Sequence, residues 1–96
     1  MEDRVYLTCL YDYYGELLTN KQREYFENYY FANLTLAEIS ENNNISRNAV
    51  HKALKETKEL LEHYEEKLKL YHKKVKINDI IKDIDKDIKE KIEELI

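Results

Sequence analysis

Ninety-six residues with a formal net charge of −4, 38% charged and 43% hydrophobic side chains make one domain, and a chain this short buries only roughly 60–65% of its surface. No proline and a single glycine, Gly15, argue against sheets and long loops, and a lone Cys9 excludes a disulfide framework or a cysteine zinc site. No apolar run approaches the roughly 18 residues of a membrane span, and the acidic start MEDRVYLTCL lacks a signal peptide's basic region and cleavage site, so the expected compartment is the cytoplasm.

The first helix is predicted over about Asp3 to Tyr14. Tyr6, Cys9, Leu10 and Tyr13 recur at three- and four-residue spacing and make one apolar stripe. On that stripe Cys9 reads as a small hydrophobe rather than a nucleophile. Gly15 is placed to end the helix through a positive φ.

A second helix starts at Thr19. Thr19-Asn20-Lys21-Gln22 has the form of a capping box, in which the threonine oxygen serves an orphan N–H and Gln22 reaches back. Phe26, Tyr29, Tyr30 and Ala32 then line a core face. The chain holds nine tyrosines, and their helical spacing fits a core whose hydroxyls reach its wet edge better than a base-stacking surface.

The third helix is short. Thr35-Leu36-Ala37-Glu38 is a second capping box, Leu36, Ile39 and Ala37 point inward, and the helix stops at Asn42-Asn43-Asn44. Asparagine tolerates the left-handed conformation that a sharp turn needs.

The fourth helix opens at Ser46, a favourable N-cap, and meets no breaker for nearly thirty residues. Val50, Leu54, Thr57, Leu61, Tyr64, Leu68, Tyr71 and Val75 recur alternately every four and three residues, a heptad seam. At ~1.5 Å per residue such a helix spans on the order of 40 Å. Its far half needs a cover, either the last helix or a second copy, and Leu61, Tyr64, Leu68 and Tyr71 are the expected seam of a homodimer. The fifth helix is predicted after Asn78 as N-cap, with Ile80, Ile81, Ile84, Ile88, Ile92 and Leu95 as its stripe. Asp79, Asp83 and Asp85 lack the glycine and spacing of a calcium loop, and His51, His63 and His72 match no familiar metal spacing, so no metal and no cofactor is expected.

The fold expectation is therefore all-α, about five helices in a single domain over 1–96, with a wingless helix-turn-helix core in 17–58 and a long-helix extension over 59–96 for dimerisation. The helix-turn-helix rests on spacing. Ser40 falls at the close approach of two crossing helices, a residue suited to positive φ follows four later at Asn44, and Val50 comes ten after Ser40. Ile39 and Ile45, with Ala49, Val50 and Ala53, supply the small and apolar contacts. The segment NNNISRNAVHKALK, residues 42–55, is the basic part of an acidic chain, with Arg47, His51, Lys52 and Lys55 and no acid.

That segment carries the candidate DNA-binding residues: Ser46, Arg47, Asn48, His51, Lys52 and Lys55. The first turn of the fourth helix would enter the major groove. Arg47 suits phosphate or guanine, Asn48 suits adenine, and the Ser46 end offers free backbone N–H groups to a phosphate. One copy brings three or four cations, so two copies are expected to share the load. Glycine-rich phosphate loops, paired catalytic carboxylates and nucleophile–base arrangements are absent, so no catalytic residue and no enzyme is expected.

At this point the stretch LLTNKQREYFENYYFANLTLAEISENNNISRNAVHKALKETKELLEHYEEKL, Leu17 to Leu68, resembles the YlxM-type proteins, small bacterial helix-turn-helix proteins encoded beside the signal recognition particle GTPase genes. With the first helix the similarity covers roughly the first seventy residues. More distantly, the order LT–KQRE, LAEIS, ISRNAV is similar to region 4 of sigma factors, which reads the −35 promoter element. The resemblance implies an all-helical dimer and a DNA-binding regulatory role linked to the signal recognition particle pathway; the alternative is a non-enzymatic interaction protein whose same basic helix meets the particle's RNA, its GTPases or the ribosome. It carries over Ser46, Arg47, Ala49 and Val50. The chain departs from the family's pattern at Asn44, where a turn glycine is common, and over His51 to Glu56.

Overall fold

The computed structural model describes residues 3–96 and is all-helical, with six α-helices where five are expected. They are α1 (Arg4–Tyr14), α2 (Asn20–Tyr30), α3 (Leu36–Asn43), α4 (Arg47–Leu68), α5 (Leu70–Ile81) and α6 (Lys86–Glu93), with a 3-10 turn at Gly15–Leu17. The local hydrogen bonds explain the starts. Asp3 caps α1 through the Tyr6 amide. Both capping boxes form: Thr19 with Gln22, and Thr35 with Glu38, each side chain serving the other residue's backbone N–H. Ser46 accepts from the Ala49 amide at 3.0 Å.

Two apolar clusters share α4 as their spine. The larger gathers Leu7, Leu10 and Tyr14 of α1, Leu18, Phe26 and Tyr30 around α2, and Leu61 of α4. The smaller gathers Ile39 of α3 with Val50 and Leu54 of α4, walled by Tyr25, Leu36 and Ile45. Tyr29 packs against both. The face of α1 is centred on Leu7, Leu10 and Tyr14, with Tyr6 and Tyr13 on its shoulders and Cys9 half-buried. Ala32 lies beyond the end of α2 and is exposed, not on the core face.

Gly15 does not take positive φ. Its φ is −57°, and the chain passes straight into the 3-10 turn. A Cβ there would sit 3.0 Å from the Tyr11 ring, which is itself stacked on Phe26 with centroids 4.5 Å apart. Glycine is favoured here by a close approach, not by a left-handed turn. At the other end of the bundle, Arg4 donates to the Tyr29 and Tyr30 carbonyls at 3.0 and 3.3 Å, holding the last turn of α2.

The long fourth helix is interrupted. α4 stops at Leu68, Lys69 takes the left-handed conformation at φ 55°, and α5 begins at Leu70. The cause is a tertiary network. Glu65, 8% exposed, accepts from the Tyr14 hydroxyl at 2.7 Å and from the Tyr71 and His72 amides at 3.1 and 3.0 Å. The Leu70 amide in turn donates to the Tyr14 oxygen at 3.1 Å. A carboxylate from the end of α4 thus caps α5, because Lys69 offers no side-chain cap of its own. These bonds offset the cost of a left-handed lysine, on the order of 1–2 kcal/mol.

The break corrects the seam. Leu61 is fully buried against α1 within the same chain, Tyr64 packs on Tyr14, and Tyr71 on α5 turns back to meet the Tyr6 ring at 5.6 Å. Of the heptad series, Leu68 and Val75, 46% and 48% exposed, keep an outward apolar surface. The expected fifth helix is likewise divided. Asn78 lies inside α5, and α6 is capped by Asp85, whose carboxylate accepts from the Asp87 and Ile88 amides. Of its predicted stripe Ile81 is buried, whereas Ile80, Ile84, Ile88 and Leu95 are exposed.

Candidate nucleic-acid interface

The turn between α3 and α4 is built as the spacing requires. Asn44 is left-handed at φ 54°, its N–H directed to the Ser40 and Glu41 carbonyls. The Ile45 amide donates to the Ser40 carbonyl at 3.2 Å, and the Asn43 side chain donates to the Ile39 carbonyl at 2.8 Å. Every orphan group of a helix C-terminus is costly if buried bare, and here the Asn43 side chain and the Asn44 and Ile45 amides share the task. Ile45 then packs on the cluster of Ile39, Val50 and Leu54, which sets the angle at which α4 leaves the turn. Ala53 is half-buried at that crossing, whereas Ala49 is exposed and does not join the contact.

With Val50, Leu54 and Thr57 fixed inward, the opposite face is determined. Ser46, Arg47, Asn48, His51, Lys52 and Lys55 are all exposed, on the first two and a half turns of one helix. Among the described residues, Arg47, Asn48, His51 and Lys55 have no side-chain hydrogen bond or ion pair. Lys52 meets Glu56 at 4.0 Å with both side chains largely exposed, a pair worth little in water. The Thr57 hydroxyl, fully buried, donates to the Ala53 carbonyl at 2.8 Å, so the apolar face leaves no bare polar atom there. The result is a rigidly held helix end carrying unneutralised donors. Such an end can accept phosphate oxygens and base-edge acceptors without first breaking internal bonds.

Two side chains outside the expected set belong to the same surface. Lys58 continues the row of Arg47, His51 and Lys55 at helical spacing, and this spacing was open to sequence reasoning. Tyr29, which belongs to α2, has no sequence signal that links it to α4. Both line a cleft beside the exposed basic face of α4. No helix among the described residues is long and apolar enough to cross a membrane.

The comparisons with known proteins agree with this geometry. One family matches residues 1–96, UPF0122, described as "Putative helix-turn-helix protein, YlxM / p13 like". A UPF0122 protein of Caldanaerobacter subterraneus subsp. tengcongensis is 54% identical over 72 residues, covering 75% of this chain and 62% of the relative. One of Clostridium kluyveri is 48% identical over 79 residues, covering 82% and 71%. One of Oceanobacillus iheyensis is 47% identical over 94 residues, covering 93% and 90%. The match thus spans under two thirds of the Caldanaerobacter relative and nearly the whole of the Oceanobacillus one. With the family matched along its entire length and the two-helix unit built in its own fold, the chain belongs to the YlxM/p13-like helix-turn-helix family.

Proposed function

We propose that the chain is a DNA-binding regulatory protein, without catalytic activity, that works in the cytoplasm as a homodimer. The first turns of α4 enter the major groove. Arg47 contacts phosphate or guanine, Asn48 contacts adenine, His51, Lys52 and Lys55 flank them, and the Ser46 end offers its amides to a phosphate. Residues 17–58 are the reading unit and 59–96 the pairing arm. The observation that carries this reading is the exposure of six donors on one helix end whose other face is anchored by Val50 and Leu54.

Pairing is supported by the apolar side chains left outside on the arm, among them Val75, Ile80 and Ile88 at 48%, 75% and 53% exposure. A single copy neutralises few phosphates, and each adds only about 0.9 to the salt slope, so two copies are needed for useful affinity. The link to the signal recognition particle pathway is supported by the resemblance to YlxM-type proteins. In that setting the same face would serve the particle's RNA or proteins.

The test is the double variant Arg47→Ala with Lys52→Ala. It should lose roughly tenfold or more in DNA affinity, with a salt slope lower by about two and unchanged helicity. An affinity equal to wild type would remove the recognition face.

A further inference from the structure

Beside the recognition face, α2, α3 and α4 enclose a cleft of about 450 Å³. Its apolar surface comes from Tyr29 at the end of α2, Leu36 at the start of α3 and Leu54 on α4. Its basic side chains are His51, Lys55 and Lys58 on α4. Among the described residues no acidic side chain lines it, although acids outnumber bases in the chain. Lys58 reaches Glu62 at 3.9 Å, a partly exposed pair that water screens. Tyr29 and Leu36 also line a second, shallower cleft that ends at Arg4. The Arg4 guanidinium lies 5.2 Å from the Tyr29 ring centre. An aromatic wall therefore stands between cations on both sides.

This combination selects a ligand with two parts. Free phosphate would satisfy the lysines and leave the apolar floor uncovered. A purely apolar molecule would strand the cations. A paired duplex keeps its bases stacked on one another and offers backbone and base edges but no free base face. An unstacked nucleotide supplies both parts, a planar base for Tyr29 and Leu36 and a phosphate for Lys55 and Lys58. The volume lies within the range of small-ligand sites, about 300–1,000 Å³.

We propose that this cleft binds one unstacked nucleotide, its base against Tyr29 and its phosphate between Lys55 and Lys58. Such a nucleotide has two sources, a free mononucleotide or an unpaired nucleotide of a nucleic acid lying on α4. The second source rests on the recognition face described above; the first does not. Because His51 and Lys55 serve both surfaces, a free nucleotide in the cleft would compete with DNA.

The experiment titrates the whole chain, followed by amide NMR at about 150 mM salt, with AMP, with inorganic phosphate, with a blunt duplex and with the same duplex carrying a short unpaired tail. Lys58→Ala, which removes a side chain outside the core, and Tyr29→Leu are run in parallel. A free-nucleotide site predicts saturable AMP shifts at Leu36, Leu54 and Lys58, larger than those with phosphate, and an AMP affinity lowered severalfold by Lys58→Ala. A nucleic-acid source predicts that the tail raises affinity about fivefold or more, that of one stacked base. Lys58→Ala or Tyr29→Leu would then lower affinity for the tailed duplex more than for the blunt one and so remove that gain. If AMP acts no differently from phosphate and the tail adds nothing, the site does not exist, even where blunt-duplex binding through Arg47 survives. Should Tyr29→Leu fail to fold, the Lys58→Ala arm decides alone.

Discussion

At the scale of single residues, the most consequential side chain outside the interface is Glu65. It is nearly buried, yet accepts three hydrogen bonds from groups on α1 and α5. Glu65→Leu would leave those donors without partners, and calorimetric melting should show a loss of roughly 3 kcal/mol. The Leu70–His72 amides should exchange faster in the same variant. Its partner Tyr14 gives a pH signature. Burial, then the hydrogen bond to Glu65, pushes the phenol from its ordinary value of 10 up to about 12. A raised folded-state value means that the neutral phenol is the stabilised form. That stability is complete below pH 10 and is lost as pH rises from 10 through 12. Tyr14→Phe should therefore start less stable and fall less steeply across this window in melts recorded against pH, with Tyr6, Tyr11, Tyr13 and Tyr71, also pushed up by burial, contributing to the remaining slope.

Among the elements, what was legible in the sequence is what is decided locally. Thr19, Thr35 and Ser46 cap their helices through bonds that span three residues, and Asn44 turns the chain within its own neighbourhood. The exposed placement of Arg47, Asn48 and His51 follows from the period of Val50 and Leu54, so the exposed polar face of α4 is legible in the sequence. The break at Lys69 could not. It depends on Tyr14, 51 positions from Glu65 in the chain, and an unbroken heptad pattern hides it. The cleft was missed for the same reason, since Tyr29 and Lys58 meet only through the packing of α2 on α4. The break can be tested by Lys69→Gly. Relief of the left-handed conformation should raise stability by up to about 1 kcal/mol in denaturant titration. If α4 and α5 were one continuous helix, the same glycine would cost about 1 kcal/mol instead.

For the whole molecule, an extent of 53 Å against a cross-section near 25 Å reflects a compact helix-turn-helix end and an arm of α5 and α6. Leu61 belongs to the interior of this body, not to its surface. Leu61→Lys should therefore abolish cooperative melting at every protein concentration, since it buries an unpaired charge in the larger cluster. A folded monomer of that variant in sedimentation would return Leu61 to an intermolecular seam. Ile88→Lys, on the exposed arm, should instead leave the fold intact and shift the sedimenting species towards the monomer.

The central claim is that the α4 end reads a DNA sequence. Its most direct test is selection of fragmented genomic DNA by the purified chain at about 150 mM salt, where non-specific attraction is already screened. The account predicts an enriched half-site that repeats at a spacing of about one helical turn, as a dimer would read it. A folded protein that enriches no sequence would contradict it.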